Sequence, residues 1–271
     1  MPNNGKGRAP AADQVVPQSD CDILASLAAY VGNWVTRQPA VKEESLTDWL
    51  LFEASNRSPR IRYVAFSRHA EARLTGADWE WWFLFRSANW KFRVQAKKIN
   101  AVDNYPGLAY SNAHGMQIEK LREDSKAENA IAMYAFYSQP NAAGHCPRSS
   151  PDCGVFVAGA EQVYSDFIRP GRAQVSVDAL LKRSRPLQCM VCCPLDGAGD
   201  MEGFLRHYFA TELESKDGDE AARGRHKEAP RYVLQLLAAQ GPPASWEQEL
   251  RHHFAGIGGI AVVDLRESRR H

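Results

Sequence analysis

The chain has 271 residues, 44% of them hydrophobic, which is enough to bury a sizeable core. Its 33 basic and 32 acidic residues nearly balance, so any contact with nucleic acid must come from a local patch rather than from overall charge. The sequence has no run of eighteen apolar residues and no N-terminal export signal. These features predict a cytoplasmic protein without a membrane span, whose six cysteines are reduced thiols.

The first half of the chain has clear helical and strand patterns. Residues 1–19 are rich in Pro, Gly, Asn and Gln and are expected to be disordered. Apolar residues then recur at three- and four-residue spacing, which predicts helices at 21–35 and 42–53. Runs rich in β-branched and aromatic residues predict strands at 60–67, 77–86 and 90–99. The last two strands are separated by so few residues that we expect a hairpin.

A second helix-and-strand pair follows the hairpin. The pattern predicts a helix at 114–129 and a nearly all-apolar strand at 130–138, of the kind that is covered on both faces. From the helix that precedes the first strand, the order is therefore helix, three strands, helix, strand. The second half is less regular, with an apolar strand expected at 187–193, a mobile charged insertion near 212–230, and a closing strand at 259–265 that could join the same sheet.

The predicted hairpin carries polar residues among its aromatic ones. Strand alternation places Asp78 and Glu80 on one face of the second strand, and Gln95 and Lys97 on one face of the third. A two-residue turn at Ser87 and Ala88 would bring Asp78 opposite Lys97 and Glu80 opposite Gln95, whereas a three-residue loop without a bulge would put the two pairs on opposite faces. The sequence alone leaves this register open.

A divalent cation would explain why two acids, an amide and a lysine lie so close together. Unpaired carboxylates are costly to bury, and Mg²⁺ binds oxygen ligands, typically carboxylates together with water and phosphate oxygens. We expect Asp78 to be the carboxylate ligand and the side-chain carbonyl of Gln95 to be a neutral ligand. Lys97 would orient or deprotonate the attacking water, or stabilise charge on a phosphate.

Gly76-Ala77-Asp78, the hairpin and Gln95-Ala96-Lys97 together resemble the PD-(D/E)XK nuclease superfamily, in the Mrr-like variant with Gln in the third motif. The superfamily core is α-β-β-β-α-β, which matches the predicted order of elements. The resemblance implies an α/β, restriction-endonuclease-like core at residues 20–140, with a mixed sheet flanked by helices. An α-rich C-terminal extension at 141–271 would pack on this core. The same segments also resemble bacterial proteins of unknown function.

The resemblance also implies site residues and an activity. The superfamily has an acidic residue on the first core helix near the metal, for which Glu43 and Glu44 are both candidates, and Gln117 matches a polar position that some relatives direct toward the site. The implied metal ligands are Asp78, Gln95 and Glu44. The implied activity is Mg²⁺- or Mn²⁺-dependent hydrolysis of DNA phosphodiesters, with double-stranded DNA as partner, in bacterial defence or DNA processing. A homodimer and an activating partner are left open.

Simpler interpretations stay open beside this one. The polar residues of the hairpin could be a solvated face, and the aromatic run at 79–85 is expected to be core, with Trp82 as a candidate for base stacking. The protein could also be an inactive nucleic-acid-binding module with the same fold. A third alternative is an interaction protein with a structural zinc ion, for which the potential ligands are His145, Cys146, Cys153, Cys189 and either Cys192 or Cys193.

Overall fold

A computed structural model gives the fold of the protein. It describes residues 18–66, 76–99, 108, 110–112, 115–141, 152–171, 175–192, 201–213, 223–238 and 256–266. The predicted disorder at 1–19 therefore falls almost wholly outside the described residues. Among the helices that the structure describes, none combines the length and the hydropathy that crossing a bilayer requires.

Two helices open the fold, as the sequence pattern predicted. Helix α1 (Asp20–Arg37) begins with a capping box, in which the Ser19 hydroxyl accepts a hydrogen bond from the Asp22 N–H and the Asp22 carboxylate accepts one from the Ser19 N–H. Helix α2 (Glu43–Arg57) ends just before the first strand. The two helices pack against each other, and their apolar residues contribute to the larger of two core clusters.

The remaining elements follow in chain order. The strands are β1 (Ile61–Ala65), β2 (Trp79–Leu84), β3 (Asn89–Lys98), β4 (Ser111–Asn112), β5 (Gly115–Met116), β6 (Ile131–Tyr137), β7 (Val155–Gly159), β8 (Arg185–Pro186), β9 (Arg225–His226) and β10 (Gly259–Asp264). The helices are α3 (Gln117–Ala127), α4 (Ala160–Val163) continued by a π-helix (Tyr164–Ile168), α5 (Val177–Leu181), α6 (Cys189–Cys192), α7 (Met201–Tyr208), α8 (Ala210–Leu213) and α9 (Arg231–Ala238).

The sheet is mixed, and the chain is of the α/β class with helices flanking the sheet. Within the described residues its order is β1-β10-β2-β3-β6-β7-β8, with β9 paired to β3. Strands β10 and β2, and strands β3 and β6, run parallel, whereas the other neighbours are antiparallel. The closing strand therefore does join the sheet, and it lies between β1 and β2. The C-terminal half completes the sheet as well as packing on it.

Strand β2 shows why the aromatic run is core. All six of its residues are buried. Trp79, Trp81 and Phe83 belong to the cluster that includes α1 and α2, whereas Trp82 and Leu84 face a smaller cluster with α9. Because Trp82 is only 1% exposed, it cannot offer a face for base stacking. The expectation that set Trp82 apart from the core is therefore wrong.

One segment of the second half differs from prediction, and a second is described only in part. In place of an apolar strand at 187–193, the chain makes a turn after β8 and forms the short helix α6, because a short apolar run suits a buried helix as well as a buried strand. Of the insertion that was predicted to be mobile near 212–230, residues 214–222 lie outside the described residues, and the part from 223 onward contacts the sheet. Gly224 accepts a hydrogen bond from the Lys91 N–H and donates one to the Asn129 side chain, and β9 pairs with β3.

The cysteines also depart from expectation. Cys21 of α1 and Cys192 of α6 form a disulfide with a Cα–Cα distance of 5.4 Å, so these two are not reduced thiols. Cys153 and Cys189 are buried thiols outside that disulfide. No group of three His, Cys, Asp or Glu side chains in the described part of the chain could hold a metal ion. Because Cys192 is in the disulfide, it is not available as a zinc ligand, and the other candidates His145, Cys146 and Cys193 lie outside the described residues.

Candidate active site

The register of the hairpin decides which polar side chains meet. Trp79 pairs with Val94 and Glu80 with Arg93, and the Asp78 N–H donates to the Val94 carbonyl at 2.8 Å. The Phe85 N–H donates to the Ala88 carbonyl, so the two-residue turn lies at residues 86–87, one residue earlier than the expected turn at Ser87 and Ala88, and the pairing is offset by two residues. An even offset keeps every side chain on its face. Asp78, Gln95 and Lys97 therefore share one face, although Asp78 is level with Gln95 and not with Lys97.

Four side chains form a continuous line of hydrogen bonds on this face. Asp78 Oδ2 accepts from the Ala96 N–H at 2.8 Å and from Gln95 Nε2 at 2.5 Å. Gln95 Oε1 accepts from Gln117 Nε2 at 2.7 Å. Gln117 Oε1 in turn accepts from the Lys97 ammonium at 2.6 Å. We call Gln95 and Gln117 the amide bridge, because these two side chains connect Lys97 to Asp78.

The amide bridge lies at one end of the central strands of the sheet, where several elements begin or end. Strand β2 starts there, β3 and β6 end there, and α3 begins there with Gln117. Gly76 lets the segment before β2 pass close to α3, with a φ of 72° that favours glycine. A Cβ atom at Gly76 would lie 2.7 Å from the Gln117 carbonyl oxygen. This close approach brings Asp78 and Gln117 to the same place.

Of the two candidate glutamates on α2, Glu43 is the one that faces the site. Its Oε2 accepts a hydrogen bond from the Lys98 N–H at 3.1 Å. Burial raises the pKa of the Glu43 carboxyl, while the positive charge of Lys97 opposes the shift. Glu44 is exposed, because each residue of a helix is turned by about 100° from the previous one. The structure thus favours Glu43 over Glu44 as the carboxylate that accompanies Asp78.

Two buried tyrosines of β6 lie near Asp78, and a nearly all-apolar strand pattern does not predict them as polar neighbours of the site. The Tyr137 hydroxyl is hydrogen-bonded to Thr47 of α2 at 2.6 Å. Burial raises the pKa of both Tyr134 and Tyr137, and the nearby negative charge of Asp78 raises both further. The Tyr134 hydroxyl is buried and has no hydrogen-bond partner among the described residues.

The donors of the site have the chemistry that Mg²⁺ requires, with one condition. Asp78 and Glu43 supply carboxylate oxygens, and Gln95 supplies an amide oxygen, all hard ligands. However, Gln95 directs its nitrogen, not its oxygen, toward Asp78. The residues therefore fit a divalent cation if the Gln95 amide turns over, with waters filling the remaining positions.

Glu80 does not belong to this site. It is fully buried, and its Oε1 accepts from the Trp82 indole N–H and from the Tyr232 hydroxyl, both at 2.6 Å. Its other oxygen lies 3.4 Å from the Lys91 ammonium and 3.5 Å from the Arg93 guanidinium. Glu80 is thus part of a buried ion-pair cluster, whose members are Glu80, Lys91, Arg93, Asp124 and Glu128.

Comparison with known proteins gives a family but no activity. Residues 20–269 match a family described as "Family of unknown function (DUF6615)". The chain belongs to this family. None of the curated proteins matches the sequence.

Proposed function

We propose that the protein is a metal-dependent nuclease that hydrolyses DNA phosphodiester bonds, with a PD-(D/E)XK-like core. The observation that carries this proposal is that Asp78, Gln95 and Lys97 share one end of the sheet. The order α2, β1, β2, β3, α3, β6 supports a restriction-endonuclease-like core, as does an acidic residue at the start of α2. We also propose a role in bacterial defence or DNA processing, which rests on the resemblance to the superfamily.

Each residue has a chemical role in this proposal. Asp78 and Glu43, with the oxygen of Gln95, would hold Mg²⁺ or Mn²⁺. Once bound, the ion supplies a Lewis acid that polarises the phosphate and lowers the pKa of a water ligand. Lys97 would contact a phosphate oxygen or orient the attacking water. Its ammonium suits this role because its hydrogen-bond acceptor, Gln117, is a neutral amide that can be exchanged for substrate.

A second candidate is the inactive nucleic-acid-binding module, and one observation favours it. The Gln95 nitrogen occupies the side of the amide that faces Asp78, and an amide nitrogen cannot bind a cation. Replacing the usual acidic residue of the third motif by Gln removes one negative charge from the site. A protein with this fold that has lost its metal would still present basic side chains to a phosphate backbone.

Plasmid cleavage tests the proposal directly. Purified protein is incubated with supercoiled DNA and Mg²⁺ or Mn²⁺, with EDTA as the metal-free control. We expect metal-dependent cleavage by the wild type and a loss of about 100-fold or more in Lys97→Met. The matched control is Lys98→Met, because the Lys98 side chain donates to the Pro39 carbonyl and not to the amide bridge. This variant should cut like the wild type.

The other outcomes separate the two candidates. If Lys97→Met cuts as fast as the wild type, the site is wrong. If no protein cuts, a gel-shift assay with the same DNA decides between them. DNA binding that survives both EDTA and Asp78→Asn would establish the inactive module in place of the nuclease.

A further inference from the structure

The two ends of the amide bridge determine the direction of its hydrogen bonds. A carboxylate can only accept hydrogen bonds, an ammonium can only donate them, and a glutamine amide has one end of each kind. Between Lys97 and Asp78, the two amides therefore satisfy every contact in a single orientation. In that orientation each oxygen points toward Lys97 and each nitrogen points toward Asp78, which is the arrangement observed.

This direction prevents Gln95 from binding a cation beside Asp78. The Gln95 Nε2 donates to two oxygens at once, Asp78 Oδ2 at 2.5 Å and the Ala96 carbonyl at 3.0 Å. Turning the amide over without a cation would set its oxygen against both of these acceptors. Gln95 is only 1% exposed, so bulk water cannot relieve that contact. The amide of Gln95 can therefore turn over only when a positive charge arrives.

Reversal of Gln95 must pass along the bridge. With Gln95 turned over, its nitrogen meets the nitrogen of Gln117, and two buried donors face each other. Gln117 restores the hydrogen bond by turning over as well. Its own nitrogen then faces the Lys97 ammonium, which is again a contact between two donors. The ammonium must leave Gln117.

We propose that Gln117 is a positioning residue that couples cation binding at Asp78 to the release of Lys97, so that the catalytic lysine is held until the metal is in place. This inference rests on the proposed function, because it gives the metal site and Lys97 their roles. Without a cation, the bridge keeps the ammonium bound to Gln117. With a cation, both amides reverse, and the ammonium becomes available to a phosphate or a water.

The test measures metal affinity and lysine accessibility, not cleavage. Mg²⁺ is titrated into the full chain by calorimetry, and amine acetylation is followed residue by residue by mass spectrometry. In the wild type we expect Mg²⁺ to raise the rate of Lys97 acetylation several-fold. Lys91, on the same strand with a side chain 7% exposed, is the internal control, because its ammonium is bound by carboxylates and its rate should not change.

Two variants of Gln117 sharpen the test. Gln117→Met removes the coupling amide, so Lys97 should react quickly without metal. Mg²⁺ should then bind about fivefold tighter or more, because no second amide has to turn over. Gln117→Glu presents an acceptor oxygen to Gln95 as well as to Lys97. The Gln95 nitrogen would then turn toward position 117 and away from Asp78 before any cation binds, which should also strengthen Mg²⁺ binding. Thermal unfolding of each variant confirms that it is folded.

The outcomes distinguish a failure of the proposed coupling from a failure of the proposed metal site. If Mg²⁺ binds the wild type and both variants with equal affinity and Lys97 reactivity never changes, the coupling is refuted and the metal site remains. If Mg²⁺ does not bind the wild type, or binds it and Asp78→Asn equally well, the metal site and the coupling are both refuted. Tighter binding in both variants, with metal-dependent reactivity in the wild type alone, supports the coupling.

Discussion

Strand β3 carries two groups of charged side chains on one face, and they are built differently. Toward its start, Lys91 and Arg93 lie 2.9–3.5 Å from carboxylates of the buried ion-pair cluster. Toward its end, Lys97 donates to Gln117 of the amide bridge, and Asp78 lies on the far side of that bridge. Direct ion pairs stabilise the packing of the strand against its neighbouring elements. A charged group whose neighbour is a neutral amide can exchange that amide for a substrate.

Helix α3 takes part in both groups. Gln117, its first residue, belongs to the amide bridge, whereas Asp124 and the C-cap residue Glu128 pair with the arginine and the lysine of the ion-pair cluster. The cluster also reaches α9, through the hydrogen bond from Tyr232 to Glu80. The ion pairs thus anchor the helix whose first residue is part of the site.

The largest expected effect comes from replacing Lys91 by Met. This change leaves the fully buried Glu80 and its neighbour Glu128 with less positive charge, so we expect the free energy of unfolding to fall by about 3 kcal/mol. Urea denaturation measures it. The matched change at the other end of the strand, Lys97→Met, should cost only about 1.5 kcal/mol, because it removes one hydrogen bond to a neutral amide and leaves no buried carboxylate without its counter-charge. Equal losses would refute the distinction between the two groups.

A smaller effect is expected from Tyr232→Phe. The change removes one hydrogen bond to the buried Glu80 carboxylate and leaves the one from Trp82. Hydrogen bonds to charged groups are worth about 1.5 kcal/mol or somewhat more, and the same denaturation experiment should show a loss of that size. Cleavage activity should persist. An unchanged stability would mean that α9 is not held by the cluster.

The pH dependence of the free energy of unfolding should show how much Glu128 contributes through the ion-pair cluster. The hydrogen bond from Lys91 holds the pKa of Glu128 below its usual range, with partial burial opposing. A lowered pKa contributes stability that is present above the unfolded-state pKa and is lost as the pH falls through the folded-state value. Glu128→Gln should therefore be less stable than the wild type near neutral pH. The difference should close in acid; a difference independent of pH would contradict this origin.

The smallest effect, of opposite sign, is expected from Glu43→Gln. Because burial raises the pKa of Glu43 in the folded state, the wild type loses stability as the pH rises from the unfolded-state value through the folded one. The glutamine mimics the protonated acid and avoids this loss. The variant should match the wild type in acid and be slightly more stable near neutral pH, by thermal unfolding. If it is less stable at neutral pH, Glu43 is a structural residue.

The local elements of the core could be predicted from the sequence, and so could most polar residues of the candidate site, although Tyr134 and Tyr137 could not. Helical spacing in α1 and α2, alternation or apolar runs in the strands, and the polar residues of the hairpin depend on neighbours close in sequence. Asp78, Gln95, Lys97 and Gln117 were all candidates before their contacts were known. Short apolar runs carry no such information, which is why α6 was predicted as a strand.

Tertiary structure decided everything that depends on distant contacts. The register of β2 against β3 is set by the loop between them, and a shift of one residue would have moved Asp78 to the other face. The position of β10 between β1 and β2 depends on pairing across almost 200 residues, which no local pattern encodes. The sequence could not choose between Glu43 and Glu44, and only the packing of α2 shows that Glu43 faces the site and Glu44 faces solvent. The sequence by itself determined which polar groups the hairpin and α3 carry, whereas the structure decided how their hydrogen bonds are directed, because that direction depends on which side chains lie at the two ends.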